Sequence, residues 1–155
     1  MRAPTKALGV IAMVAWLALN LVGAEDKKVQ VALTGSFLVG DSVAGTGGIL
    51  GFGMRAVLEL KGPFTVSPEI DMYQHWRSIV PACTLNLRFG KGYIGLGPMV
   101  ALCVPGGYVI GLVKAHAGIK SRHWLIEADY IAGGASRRGG EERTTLIGLT
   151  FGVVF

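Results

Sequence analysis

Apolar and polar residues alternate with period two along most of the chain after residue 28. The clearest run covers residues 65–73, where Val66, Ile70 and Met72 share one face and Glu69 and Asp71 share the other. Such alternation is typical of β-strands that have one apolar and one polar face. Eight runs of this kind follow one another, and they begin near Val29, Ile49, Thr65, Ile79, Tyr93, Val109, Trp124 and Leu146. The pattern predicts an all-β chain of eight strands.

The connections between these runs predict antiparallel neighbours. Residues 61–63 form one short turn, and Lys91-Gly92 fits a two-residue hairpin loop that would pair Gly90 with Tyr93. Longer polar connections are predicted at residues 41–48, 74–80 and 133–143. Short connections at one end and longer ones at the other are typical of membrane barrels, with both termini on the periplasmic side.

The composition indicates that this sheet contacts lipid. Hydrophobic residues make up 51% of the chain, charged residues only 16%, and the mean hydropathy is +0.50. Soluble domains carry about 25% charged residues. No apolar segment after residue 24 reaches the roughly 20 residues that a spanning helix needs, so a closed barrel is the remaining way to cross a bilayer. We therefore predict an eight-stranded antiparallel up-and-down transmembrane β-barrel.

The polar faces indicate which side of the sheet is inside. They mix glycine, serine and threonine with charges of both signs, which suits a narrow lumen where opposite charges pair. The predicted lumen charge network comprises Arg55, Glu59, Glu69, Asp71, Arg88, Lys114, Glu127 and Asp129. Because eight strands leave an interior just wide enough for side chains, we expect a packed plug. A narrow pore and a soluble lipocalin-like binder with apolar residues inside are the alternatives.

The first residues predict export. Arg2 and Lys6 precede an uncharged apolar run, and Val22-Gly23-Ala24 offers small residues for cleavage. Residues 1–24 are therefore predicted to be a signal peptide, with residues 25–155 forming the barrel domain. The alternative is a retained spanning helix. The formal net charge is +5, but the sequence contains no long run of lysine or arginine residues. Nucleic acid is therefore not an expected partner.

The end of the chain carries a resemblance to a known family. Residues 149–155 alternate apolar residues and finish on Phe155. With the eight runs, this resembles the small outer-membrane β-barrels, sometimes called porin-family barrels, of the outer-membrane protein X type and the transmembrane domain of outer-membrane protein A. The resemblance implies that Phe151, Val153 and Phe155 are read by the barrel assembly machinery. It also implies residence in the outer membrane among lipid and lipopolysaccharide, as a monomer with a structural, surface-interaction or adhesion-type role.

Catalytic chemistry finds little support in the sequence. Some eight-stranded barrels modify lipid A, and the deacylases among them have a serine two residues after a histidine. Here Gly118 follows His116 at that spacing, and Leu125 follows His123. His75, with Ser78 and Asp41, could be assigned to an acyl-transferring role, but no motif constrains that choice. We predict no catalytic residues, no cofactor and no metal site.

The two cysteines are expected to be free. By residue parity Cys83 faces lipid and Cys103 faces the lumen, so a disulfide would require a shifted register.

Overall fold

The computed structural model describes residues 29–42, 45–74, 78–103, 108–137 and 140–155. The predicted signal peptide, as well as His75, lies outside these residues. Within them the chain forms eight strands: β1 (Val29–Ser42), β2 (Gly45–Glu59), β3 (Phe64–Tyr73), β4 (Ser78–Phe89), β5 (Gly92–Cys103), β6 (Tyr108–Lys120), β7 (Trp124–Arg137) and β8 (Gly140–Val154).

The strands close into a barrel. Each strand pairs antiparallel with the next one in sequence, and β8 pairs with β1, for example through Leu149 and Phe37. The sheet consequently has no free edge along most of its length, and the backbone groups of its middle are satisfied between strands. The predicted eight-stranded, antiparallel, up-and-down barrel is confirmed. No helix in the described part of the chain is long and apolar enough to cross a membrane.

The outer surface of the barrel is apolar. Leu149 is 62% exposed and Phe52 is 67% exposed, although both are large hydrophobic residues in the middle of strands. Each strand contributes such side chains, among them Phe37, Phe52, Met72, Leu85, Leu96, Val113, Ile126 and Leu149. Leu58 is an exception, since its parity places it outside but its side chain is fully buried. An apolar band around a closed barrel is the exterior that a bilayer requires.

The lumen is filled in layers. We call the end that carries Val29 and Phe155 the terminal end, and the opposite end the far end. The far half of the lumen holds an apolar cluster that includes Leu38, Ile110 and Leu146. The middle holds buried polar and charged side chains, and a small apolar group with Leu125 lies toward the terminal end. The inner faces were predicted to mix small residues with charges, and the gathering of the apolar side chains into one half of the lumen was not predicted.

The β4–β5 hairpin differs from the predicted register. Phe89 pairs with Gly92 and Arg88 pairs with Tyr93, so the loop is Gly90-Lys91 and not Lys91-Gly92. Gly90 adopts a φ of 63°, which the first position of a primed two-residue turn requires and which glycine adopts without strain. The shift moves each pair by two residues. It therefore leaves every side chain on its predicted face.

Two of the three predicted long connections, at residues 41–48 and 133–143, are wrong. Strand β1 extends to Ser42 and β2 begins at Gly45, while β7 extends to Arg137 and β8 begins at Gly140. These segments are polar and glycine-rich, and they form strands because each pairs with its partner across the hairpin, as Asp41 does with Thr46. Residues 74–77 connect β3 to β4. The turn at residues 61–63 is present as predicted, with Gly62 at a φ of 79°.

The cysteines lie apart. Cys103 pairs with Ser78 across the β4–β5 ladder, and Cys83 lies five residues further along β4, about 16 Å away at the usual rise per residue. A disulfide requires Cα atoms within about 7 Å. Cys83 is a free cysteine.

Arginine substitutions on the outer face test its contact with lipid. Leu149→Arg, in the middle of the apolar band, is expected to lower the free energy of unfolding by about 2–4 kcal/mol. Ile119→Arg, near the terminal end of β6, is the matched control and should lower it by about 1 kcal/mol or less. Denaturant unfolding in lipid vesicles measures both. Equal, negligible effects would contradict a lipid-facing exterior.

Candidate functional site

Arg55 of β2 is the centre of a layer of buried charges in the lumen. We call this layer the ionic layer, and it consists of Arg55, Glu69, Asp71, Lys114, Glu127 and Asp129. Its side chain is 3% exposed, and its Nε donates a hydrogen bond of 2.6 Å to Glu69 Oε2 on β3. Its two terminal nitrogens donate to both carboxylate oxygens of Glu127 on β7, with a distance of 2.8 Å from Nη2 to Oε2. The planar guanidinium matches a carboxylate in this two-bond arrangement. Arg55 thereby joins β2 to strands on two sides of the lumen.

Lys114 of β6 is the second buried cation of this layer. Its Nζ donates to Glu69 Oε1 at 2.8 Å and lies 3.5 Å from Asp129 Oδ1. Thr150 Oγ1 donates to the other oxygen of Asp129 at 2.5 Å. Because Thr150 gives its proton to Asp129, Ser36 Oγ donates to Thr150, at 2.7 Å. The network thus runs from β3 through β6, β7 and β8 to β1.

A neutral group completes the layer on the terminal side. Tyr93 Oη donates to Glu127 Oε1 at 2.6 Å, and the edge of its ring lies against His116, with ring centroids 5.7 Å apart. His116 Nε2 lies 2.8 Å from Asn86 Oδ1 and therefore carries the proton. Asn86 Nδ2 donates in turn to Ser67 Oγ at 2.8 Å. Tyr93 thus adds a second donor to the Glu127 oxygen that Arg55 Nη1 also contacts.

Acidic groups outnumber basic ones in the ionic layer. Arg55 and Lys114 face four buried carboxylates, those of Glu69, Asp71, Glu127 and Asp129. Asp71 receives a long hydrogen bond of 3.4 Å from Tyr73 Oη. The two cations are therefore shared, and the loss of either would leave more than one buried carboxylate without a counter-charge.

The predicted charge network divides into two parts in the structure. Six of its members form the ionic layer: Arg55, Glu69, Asp71, Lys114, Glu127 and Asp129. Arg88 and Glu59 form a separate ion pair of 2.8 Å near the terminal end, where their side chains are 45% and 34% exposed. Parity grouped all eight because it gives the face of a residue and not its height along the barrel.

Sequence reasoning missed the uncharged members of the layer. Tyr93 and Thr150 lie on inward faces and each donates a buried hydrogen bond to a carboxylate of the layer. Asn86 and His116 also face inward, and they bond to each other beside the layer. The same alternation that placed the charges also placed these residues inside. Polar side chains on the same predicted faces as the charges were therefore the signal that the sequence offered for these members.

One group of side chains in this layer has the composition of a metal site. Ligand atoms of His116, Glu127 and Asp129 lie within 4.8 Å of one another. Both oxygens of Glu127 accept hydrogen bonds from Arg55, and Lys114 lies beside Asp129. The side chains of Arg55 and Lys114 thus already compensate the charges of these two carboxylates. The donor set therefore does not fit a metal ion.

The histidines considered for catalysis lie in different places. His116 is buried in the ionic layer, whereas His123 is exposed in the turn that precedes β7. Among the side chains that the structure describes, no hydrogen bond joins a serine to a histidine. The hydrogen bonds among the described lumen side chains hold charges in place.

The residues of the predicted assembly signal lie on the outer face. Phe151 is 53% exposed, Val153 is 43% exposed and Phe155 is 73% exposed. Their recognition by an assembly machinery stays a prediction.

Among known proteins, the chain is similar to solved structures only. No protein-family model matches the chain, and no curated protein matches it. A structure of Neisserial surface protein A is 14% identical, with a TM-score of 0.48 over 84% of this chain and 98% of that one. The crystal structure of Ail, the attachment invasion locus protein of Yersinia pestis, is 12% identical, with a TM-score of 0.44 over 83% of this chain and 97% of that one. A de novo designed transmembrane β-barrel is 7% identical, with a TM-score of 0.48 over 81% of this chain and 94% of that one.

The closed ladder, the apolar exterior and the charged interior together define a class of protein. The chain is a small eight-stranded transmembrane β-barrel whose lumen is filled by its own side chains in its middle and far half.

Removing Arg55 tests the role of the ionic layer. Arg55→Met is expected to lower the free energy of unfolding by about 3–5 kcal/mol, since it leaves Glu69 and Glu127 buried with too few counter-charges. Arg88→Met removes the same charge from an exposed pair and should cost about 1 kcal/mol or less. Denaturant unfolding of the refolded protein in detergent micelles measures both changes in the free energy of unfolding. A similar loss in the two variants would show that the ionic layer does not stabilise the barrel.

Proposed function

We propose that this chain is a non-conducting outer-membrane barrel that presents a rigid surface outside the cell. The observation that carries the proposal is the filled lumen inside an apolar exterior. Arg55 spans the lumen between Glu69 and Glu127, and the apolar cluster around Leu38 and Ile110 fills the lumen beyond it. A barrel of this kind anchors its ends on the two sides of a membrane without passing solutes between them.

The far end supplies the surface on which the proposed role depends. The β1–β2 ladder continues to Ser42 and Gly45, whereas the β2–β3 ladder stops at Gly51 and Tyr73. The β7–β8 ladder likewise continues to residues 137 and 140 beyond the last pair of β6 and β7. Because β8 pairs with β1 as far as Asp41, the two hairpins form one raised ridge. We call these paired ends of β1, β2, β7 and β8 the far-end ridge.

A ridge of paired strands suits recognition better than a set of loose loops. Its backbone is already ordered, so binding of a partner costs the ridge little conformational entropy. Polar groups are present on it, including Asp41, whose carboxylate accepts a hydrogen bond of 2.7 Å from Thr46, and Arg143, which is exposed. Surface interaction or adhesion through this ridge is the finer part of the proposal. Lipid and lipopolysaccharide are its proposed surroundings, and assembly requires the machinery that reads the final strand.

Fractionation and gel mobility test the anchoring role. The exported protein should appear in the outer-membrane fraction, and an unboiled sample should migrate differently from a boiled one because the closed barrel resists detergent. A protein that remains in the aqueous fraction and shows no shift would overturn the proposal.

Orientation is tested by labelling whole cells with a membrane-impermeant maleimide. Thr46→Cys on the far-end ridge should be labelled, whereas Lys61→Cys, in the turn at the terminal end, should be labelled only after lysis. The unsubstituted protein controls for Cys83 and Cys103. Labelling of Lys61→Cys alone on intact cells would place the ridge in the periplasm and remove the surface role.

A further inference from the structure

A cavity of about 310 Å³ opens at the terminal end of the lumen. Arg55 and Tyr93 of the ionic layer form its inner boundary, and the turns around Lys91 and Ser121 surround its mouth. Neither the anchoring role nor the far-end ridge involves this cavity. Its volume is near the lower limit of small-molecule sites.

Positive charge dominates the lining. Among the described residues that line the cavity, Glu59 is the only carboxylate, and it pairs with Arg88. Lys120 Nζ donates to the neutral amide oxygen of Gln30. In the part of the chain that the structure describes, Lys91 and Arg122 form no ion pair. The described residues thus offer no carboxylate partner to three cations at the mouth, Lys91, Lys120 and Arg122.

Buried hydroxyl groups lie deeper in the same cavity. Thr65 is 3% exposed and Ser67 is 2% exposed, and both line the cavity. Each accepts a hydrogen bond from Asn86 Nδ2, at 3.3 Å and 2.8 Å. Because a hydroxyl that accepts keeps its own proton, both groups can still donate. The site therefore combines cations at its mouth with neutral donors inside.

We propose that this cavity binds a small phosphate ester. The anionic phosphate group lies at the mouth among Lys91, Lys120 and Arg122, where charge-assisted hydrogen bonds hold it. The polar body of the ligand reaches inward to Thr65 and Ser67. The phosphate can belong to a free solute or to the headgroup of a phospholipid in the adjacent leaflet, since a monoester and a diester both present anionic phosphate oxygens.

Calorimetric titration of the folded barrel with glycerol 3-phosphate tests the proposal. A maltoside detergent is required, because phosphocholine detergents carry the competing group. Saturable binding that weakens with added salt is expected, with no binding of glycerol. Arg122→Gln and Lys91→Gln should each weaken binding by about tenfold, in line with the loss of one charge-assisted hydrogen bond.

Two further variants keep the test specific. Lys61→Gln removes a positive charge from the same end without touching the cavity, and it should leave the affinity unchanged. Thr65→Val should weaken binding of glycerol 3-phosphate but not of inorganic phosphate, because it alters the inner part of the site alone. No saturable binding of either compound would overturn the proposal. Equal weakening by Lys61→Gln and Arg122→Gln would also overturn it, because it would reduce the effect to general charge.

Reconstitution separates the two sources of phosphate. If a headgroup occupies the cavity, glycerol 3-phosphate will bind in maltoside micelles but not in phosphatidylglycerol bilayers. If the ligand is a free solute, the compound will bind in both. Each result supports the site and identifies its source of phosphate.

Discussion

The bonds from Arg55 to Glu69 and Glu127 are the interaction on which the rest of the structure depends. Burial of a guanidinium away from water is strongly unfavourable unless its charge and its hydrogen bonds are both compensated. Here the compensation comes from β3 and β7, which lie far apart in sequence and on different sides of the lumen. The network forms only when the barrel is closed, so closure and charge compensation support each other.

Two environments act on the same sheet. Lipid selects the apolar outer face, because an unpaired charge in the middle of a bilayer is costly. The fully buried charges of the lumen lie together in the ionic layer, where they meet partners, while apolar side chains fill the far half. The cavity at the terminal end is the part of the interior that remains open. The barrel thus has a sealed middle, a ridge at one end and a basic cavity at the other.

Alternation along the sequence predicts the strands and their faces because the period of a strand is two and both environments are selective. It does not give the height of a residue along the barrel, so it could not separate Arg88 and Glu59 from the ionic layer. It could not choose between Gly90-Lys91 and Lys91-Gly92, since either loop contains a glycine. The ends of β1 and β2 were missed because their polar, glycine-rich residues form strands only through pairing with each other.

The central claim is that the barrel spans a membrane and is closed by its ionic layer. Single-channel recording of the refolded protein in a planar bilayer tests this claim most directly. We predict insertion without discrete current steps at physiological salt, because side chains fill the lumen between the apolar cluster and the terminal cavity. Regular current steps from the unsubstituted protein would contradict the account and would identify the chain as a narrow pore.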